Sequence, residues 1–236
     1  RSSFDDTLAA LDQALQQHDI EVVRDDELAA EKERVRKDFE FRAPPTLPEV
    51  APLHIATQHA TIAFPESILL VTHNLNLEGA PLFLIDLAKH YASLGAKLTL
   101  ISPSDGPLRK RFEACGAVIQ IVDTDAFFAA KTRQSAQKAL STIGPAIDFA
   151  THDLVVCNTF TTFWAVHLAK SAQRAVLLYV HESTTPASFY IGRVAPEVVA
   201  LADEAFALAD AVSFTTVSTR NYHLDYGRPE KHWLTP

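Results

Sequence analysis

Residues 67–81 combine the pattern of a buried strand with the start of a helix, and this combination restricts the fold more than any other segment. The run SILLVTH at 67–73 is almost continuously apolar, as in a parallel strand covered on both faces. Pro81 suits the first turn of the apolar-periodic segment that follows, where a missing N–H is harmless. Gly79 leaves no side chain before the helix N-terminus, so its N–H groups and dipole favour a phosphate or another anion. Alternatively, Gly79 only permits a tight strand-to-helix turn, and the local residues favour neither explanation.

Strand and helix patterns alternate from residue 67 to the end of the chain. They predict strands at 67–73, 97–102, 117–122, 153–158, 175–181 and 211–217, and helices near 80–94, 106–115, 126–142, 161–172, 196–209 and 219–225. This order predicts an α/β fold with a Rossmann-like, doubly wound parallel sheet. Ligands of such sheets bind at the carboxyl ends of the strands. We therefore expect the site residues in the strand-to-helix loops.

The first part of the chain has a different composition. Leucines at helical spacing and a charged stretch predict a helical extension over residues 1–42, and clustered prolines predict a linker over 43–66. The Rossmann-like domain is then expected over 67–236. Because the chain begins with Arg1 and contains no methionine, we expect it to be a piece of a longer polypeptide.

Charge and composition exclude several classes of function. A net charge of −8 argues against nucleic acid as a partner. No apolar run approaches the roughly 20 residues that span a bilayer, and no signal-peptide pattern is present, so we expect a cytoplasmic protein. The two cysteines have no neighbours at metal-ligand spacing. The G-x-S-x-G and G-x-G-x-x-G motifs are also missing, which argues against a serine hydrolase and a dinucleotide-binding enzyme.

Polar residues follow three of the predicted strands. Asn158 either turns its amide toward a substrate hydroxyl or satisfies loop backbone groups, and both explanations stay open. His181, with Glu182 beside it, ends a buried strand, where an imidazole can orient a hydroxyl or transfer a proton near neutral pH. For His181 we favour a functional role, although its side chain and that of Glu182 need not touch. His73 is expected to line the same crevice.

These motifs, in this order, resemble the N-terminal domain of GT-B glycosyltransferases, in particular those of family 4. The matching segments are HNLNLEGAP at 73–81, LTLISP at 98–103, DGPLR at 105–109, VCNT at 156–159, VHES at 180–183, AVSF at 211–214 and VST at 217–219. The resemblance covers residues 67–236. It implies two facing Rossmann-like domains with the reaction in the cleft between them.

In such enzymes the N-terminal domain mainly holds the acceptor, and the C-terminal domain holds the sugar nucleotide. We expect this second domain to be missing from the chain, which ends at Pro236. The glycine loop lies near the donor diphosphate and the histidine after the fifth strand, here His181, faces the transferred sugar. The resemblance thus implies a catalytic His181. The resemblance and the expected crevice at the carboxyl ends of the strands together indicate a set of binding residues. These are Gly79, Ala80, Pro81, Asn158, Thr159, Glu182 and His73. Where the family often has a second glycine, this chain has Glu78, whose carboxylate would repel a diphosphate unless it is paired or turned away.

The resemblance also implies transfer, mostly with retention, from a sugar nucleotide to a glycan or a lipid-linked acceptor, as in polysaccharide biosynthesis. No metal or other cofactor is inferred beyond the sugar-nucleotide substrate. The partners are the acceptor and the protein's own C-terminal domain, with at most peripheral contact with the inner face of the membrane. This chain alone is expected to be inactive. The alternative is a non-catalytic binding or scaffolding module of a multidomain protein.

Overall fold

A computed structural model describes residues 64–234, which contain a seven-stranded sheet of order β3-β2-β1-β4-β5-β6-β7. Every neighbouring pair of strands is parallel. The strands are β1 Ser67–Thr72, β2 Lys97–Ser102, β3 Val118–Ile121, β4 Leu154–Asn158, β5 Ala175–Val180, β6 Ala211–Phe214 and β7 His232–Leu234. The chain therefore builds outward from β1 to one edge and returns at β4 to build toward the other edge.

Helices connect most of these strands. They are α1 Gly79–Ser93, α2 Arg109–Glu113, α3 Asp125–Phe128, α4 Arg133–Ile143, α5 Phe163–Ser171, α6 Pro186–Tyr190, α7 Pro196–Leu208 and α8 Val217–Asn221. Short 3₁₀ turns lie at Gly144–Ala146, Phe149–Thr151, Phe160–Thr162 and Pro229–Lys231. Within residues 64–234, none of the helices is both long enough and apolar enough to cross a membrane.

The sheet buries both of its faces. Leu69 and Val71 of β1 pack in one apolar cluster with α4, α5 and α7, whereas Ile68 and Leu70 pack in a second cluster with α1 and α2. Successive strand residues point to opposite faces, so the continuous apolar run of β1 supplies both clusters. The predicted doubly wound, Rossmann-like sheet is confirmed.

The predicted elements differ from the structure at a few places. The strand expected at 211–217 ends at Phe214, because Thr216 caps α8 by accepting a hydrogen bond from the Thr219 N–H. The helix expected at 126–142 is two helices, since Thr132 and Ser135 form a capping box that starts α4. Helix α6 and strand β7 were not predicted. The helical extension predicted at 1–42, and the linker predicted at 43–66 up to residue 63, lie outside the described residues.

The order of the strands determines where a crevice forms. Strands β1 and β4 are neighbours, and the connections that follow them lead to opposite edges of the sheet. At such a switch point the loops after the two strands diverge and leave space at the carboxyl ends. His73 and the first turn of α1 follow β1, and Thr159 follows β4.

Candidate functional site

Asn158 joins the first turn of α1 to the loop after β5. Its Nδ2 donates to the carbonyl oxygen of Ala80 at 2.9 Å, and its Oδ1 lies 2.9 Å from Nε2 of His181. A carbonyl oxygen only accepts, so the NH₂ group of Asn158 must face Ala80 and its Oδ1 must face His181. His181 therefore carries its proton on Nε2. The side chain of Asn158 is completely buried and binds both of these segments.

This arrangement gives the other ring nitrogen of His181 a defined role. Burial, with a smaller effect from nearby His73, lowers the pKa of His181 to about 4, so the ring is neutral at physiological pH. With the proton on Nε2, Nδ1 has a free lone pair and accepts hydrogen bonds. Phe83 packs against the ring at 5.0 Å between centroids. Nδ1 has no hydrogen-bond partner within the part of the chain that the structure describes.

The N-terminus of α1 lies beside this group. The helix has 15 residues, and its N-cap residue Glu78 makes no side-chain cap hydrogen bond. A Cβ added to Gly79 would meet no atom within 4 Å, and Gly79 does not have a positive φ. Neither backbone conformation nor packing therefore requires glycine here, which removes support for the tight-turn explanation. What remains is open space before the first N–H groups of the helix.

Ala80 and Pro81 complete the first turn, as the position of Pro81 predicts. Ala80 takes part through its carbonyl oxygen, which Asn158 binds. Pro81 is buried, so its ring is not accessible to a ligand. Both residues therefore fix the position of the helix end.

The Glu78 carboxylate is paired with neighbours in its own loop. It accepts hydrogen bonds from Nε2 of His73 at 3.0 Å and from the side-chain amides of Asn74 at 3.1 Å and Asn76 at 3.3 Å. These hydrogen bonds keep the pKa of Glu78 below its usual value, and the bond from Asn74 has the largest effect. Glu78 is therefore anionic, but its carboxylate is bound to three donors. His73 is one of these donors and follows β1 at the crevice.

Thr159 has a strained backbone. Its φ of 92° and ψ of 149° lie in a region that only glycine adopts easily. The conformation is maintained by its N–H, which donates to the Tyr179 oxygen at 2.9 Å, and by its carbonyl, which accepts from the Thr162 hydroxyl at 2.8 Å. The side chain is buried, and its hydroxyl is bonded to that of Thr161. Thr159 thus shapes the loop after β4 and presents little surface to a ligand.

This strain predicts an inverted order of stability for two variants. Thr159→Gly and Thr159→Ala both lose the hydroxyl, but only glycine relieves the backbone. We expect Thr159→Gly to be more stable than Thr159→Ala by about 1–2 kcal/mol, the reverse of the usual order. Urea unfolding of the two variants measures the difference. Equal stability, or a more stable alanine variant, would contradict the strain.

Glu182 ties the loops after β4 and β5 together through backbone groups. Its Oε2 accepts from the His181 N–H at 3.0 Å and from the Phe160 N–H at 3.4 Å. Burial outweighs these hydrogen bonds and raises the pKa of Glu182 to about 7. Its carboxylate makes no hydrogen bond with the His181 ring, as adjacent positions of an extended chain predict. Glu182 thus titrates near neutral pH at the edge of the site.

Phe83 is a residue of the site that was not predicted. Its ring contacts both His181 and Tyr179, at 5.0 and 5.2 Å between centroids. Phe83 is four residues after Gly79 and therefore lies on the same side of α1, a spacing that the sequence displays. No group of three possible metal-ligand side chains converges within residues 64–234.

Comparisons with known proteins identify a family and a fold. The model of the family described as Glycosyltransferase Family 4 matches residues 77–234. No curated protein sequence matches the chain. Among solved structures, Anabaena Alr3699/HepE in complex with UDP-glucose is 17% identical with a TM-score of 0.54, and the same protein with UDP is 18% identical with a TM-score of 0.54. In both cases the match covers 71% of this chain and 43% of HepE, so the chain spans less than half of that protein.

Proposed function

The chain belongs to glycosyltransferase family 4, and on this basis we propose that it is the acceptor-side half of a sugar-nucleotide-dependent glycosyltransferase. The fold that it shares with HepE, a protein crystallised with UDP-glucose, supports a sugar nucleotide as the donor. Since the chain spans 43% of HepE, we assign the donor-binding half to a second domain of a longer protein. Residues 67–236 form the acceptor-side domain in this proposal.

The hydrogen-bonded series Ala80–Asn158–His181 carries the proposal. It fixes a neutral imidazole whose free acceptor, Nδ1, lies at the carboxyl ends of the central strands. A hydroxyl of the transferred sugar can donate to this nitrogen, which orients the sugar for attack by the acceptor. Because the pKa of His181 is about 4, the nitrogen accepts throughout the neutral range.

The N-terminus of α1 suits the donor diphosphate. Negative charge develops on the leaving diphosphate during sugar transfer, and the helix N–H groups and dipole stabilise such charge. The open space above Gly79 supports this assignment. The Glu78 carboxylate is bound to three donors of its own loop, which reduces its repulsion of the diphosphate.

We infer several finer features from the family. Transfer proceeds with retention to a glycan or a lipid-linked acceptor, without a metal, in a cytoplasmic protein with at most peripheral membrane contact. His181 is the catalytic residue, because it is the group assigned to touch the transferred sugar. Gly79, Asn158, Thr159, Glu182 and His73 then bind or position the substrates.

A turnover screen tests the proposed function. UDP-, GDP- and ADP-sugars are offered with mixed glycan acceptors to the natural-length protein and, in parallel, to residues 1–236, and nucleotide release is followed. Release by the natural-length protein alone is the expected result. No release by either would favour the non-catalytic scaffolding module instead.

Gly79→Ala tests the diphosphate assignment separately from the fold. The added methyl group meets no protein atom, so the free energy of unfolding should stay within about 1 kcal/mol of wild type. The methyl group would occupy the space assigned to the diphosphate. We therefore expect the affinity of the natural-length protein for its sugar nucleotide, measured by calorimetry, to fall about tenfold, or about 1.4 kcal/mol.

Ser93→Ala, at the other end of α1, is the matched control and should bind the donor like wild type. Gly106→Ala provides a steric contrast, because its Cβ would lie 2.5 Å from the Leu75 oxygen and must destabilise the fold. Wild-type donor affinity in Gly79→Ala would show that the diphosphate binds elsewhere.

A further inference from the structure

A groove lies next to the candidate site, along α6 and the start of α7. Its volume is about 660 Å³, within the range of sites for small ligands. The wall is largely apolar and includes Ile191, Val194 and Val199. Ile191 is 78% exposed, although it is a large aliphatic side chain. An apolar wall that remains open to solvent suits a ligand with an apolar body.

Two cations line the same groove. Lys131 and Arg193 line it, and neither has an ion-pair partner within residues 64–234. The guanidinium of Arg193 lies over the Phe189 ring, 5.3 Å from its centre, and this cation–π contact positions the side chain. Among the described lining residues these two cations stand against one carboxylate, that of Asp203, so the groove keeps a net positive charge in a chain whose net charge is −8. This charge favours an anionic ligand group.

Two polar groups of the groove lack partners. Tyr190 is 6% exposed, and its hydroxyl is buried without a hydrogen-bond partner in the described part of the chain. One carboxylate oxygen of Asp203 is also buried without a hydrogen-bond partner in the described residues. Buried polar groups are normally hydrogen-bonded, so the Tyr190 hydroxyl is an unused donor from which a phosphate or carboxylate oxygen of a ligand can accept. The Asp203 carboxylate, in contrast, repels an anionic group.

Tyr190 also connects the groove to the candidate site. Burial is the main cause that raises the pKa of Tyr190, and the negative charge of Glu182 raises it further. The positive charge of Arg193 lowers it. The Tyr190 ring also lies 6.2 Å, between centroids, from the ring of Phe160, whose N–H donates to Glu182 at 3.4 Å. The groove therefore adjoins the loop of His181 and Glu182, where the proposed function places the transferred sugar.

We propose that this groove binds the acceptor, and that the acceptor is an amphiphile with an apolar body and an anionic phosphate or carboxylate group. The apolar body lies against Ile191, Val194 and Val199, and the anionic group binds Arg193 and Lys131. The assignment of the ligand as acceptor rests on the proposed function, whereas its chemistry rests on the groove alone. Both a membrane lipid and a soluble amphiphile have this chemistry.

Direct binding to residues 1–236 tests the groove without any sugar nucleotide. The probe is decyl phosphate below its micellar concentration, measured by calorimetry, with inorganic phosphate and decyl glucoside as separate probes of charge and apolar body. We expect decyl phosphate to bind at least tenfold more tightly than either, about 1.4 kcal/mol or more. Equal binding of decyl glucoside would overturn the anionic assignment. Binding to phosphatidic acid vesicles, compared with pure phosphatidylcholine vesicles, separates a lipid source from a soluble one.

Variants locate the binding. Arg193→Gln should weaken decyl phosphate about tenfold, and Asp203→Asn should strengthen it about threefold because a negative charge leaves the groove. Ala200→Trp fills the groove from an exposed position of α7 and should abolish binding, whereas Ala207→Trp on the same helix should not. Lys138→Gln on α4 is the control for a lost surface charge. Unchanged affinity in both Arg193→Gln and Ala200→Trp would overturn the proposal.

Different outcomes would refute the groove proposal and the proposed function. Arg193-dependent binding of decyl phosphate without any sugar transfer by the natural-length protein would leave the groove as a binding site and refute the transferase. Sugar transfer with an acceptor KM that Arg193→Gln does not change would refute the groove and leave the transferase intact.

Discussion

His181→Ala is expected to lower kcat of the natural-length protein about 100- to 1000-fold. The variant removes the Nδ1 acceptor that orients the sugar hydroxyl, and losses of this size are typical when one hydrogen bond to the reacting group is removed. His181 is partly exposed, so water can replace its hydrogen bond to Asn158 and the fold should persist. Steady-state nucleotide release measures kcat, and the circular dichroism melting curve checks the fold.

His90→Ala is the matched control, because His90 is an exposed histidine on α1. It should retain wild-type turnover. Since the pKa of His181 is about 4, wild-type kcat should also show no inflection from this residue between about pH 6 and 8. Turnover in His181→Ala within a factor of about three of wild type would remove His181 from the reaction.

Replacing Asn158 is expected to impair both stability and turnover. Asn158→Leu leaves the Ala80 carbonyl and the His181 Nε2–H without their partner, so the free energy of unfolding should fall by about 2 kcal/mol. The imidazole also loses the group that fixes its proton on Nε2. We expect kcat to fall at least about tenfold at every pH, measured by nucleotide release at saturating donor.

Asn158→Asp separates the proton position from the loss of packing. A carboxylate beside Nε2 favours the charged imidazole and raises the pKa of His181 above its wild-type value. Below the raised pKa, Nδ1 carries a proton and can no longer accept. Turnover of Asn158→Asp should therefore recover as the pH rises, whereas that of Asn158→Leu should not. The same pH profile in both variants would contradict the role assigned to Asn158.

Much of the sheet could be predicted because its signals are local. The buried strands are continuous apolar runs, and helix α1 begins at Gly79 with Pro81 in its first turn. Strand β7 has three residues and helix α6 has five, which is too short for a periodic pattern. The division between α3 and α4 depends on the capping box of Thr132 and Ser135, a local hydrogen-bond pattern within an otherwise helical composition.

The candidate site could be predicted in outline but not in its hydrogen bonds. His73 and His181 follow β1 and β5, and Asn158 is the last residue of β4, which lies between them in the sheet, so their proximity follows from the topology. The bond between Asn158 and His181 also needs the register of β4 with β5, which pairs Asn158 with Tyr179. No sequence pattern shows the pairing of Glu78 or the positive φ of Thr159, because both depend on the path of a loop.

The most direct test is a crystal structure of the natural-length protein with a sugar nucleotide bound. The measured quantity is the distance from Nδ1 of His181 to the nearest hydroxyl oxygen of the donor sugar. We expect a hydrogen-bond distance, about 2.6–3.2 Å, with the diphosphate against the first turn of α1 at Gly79. A bound donor whose sugar lies away from His181, with the diphosphate remote from Gly79, would contradict the proposed transfer site.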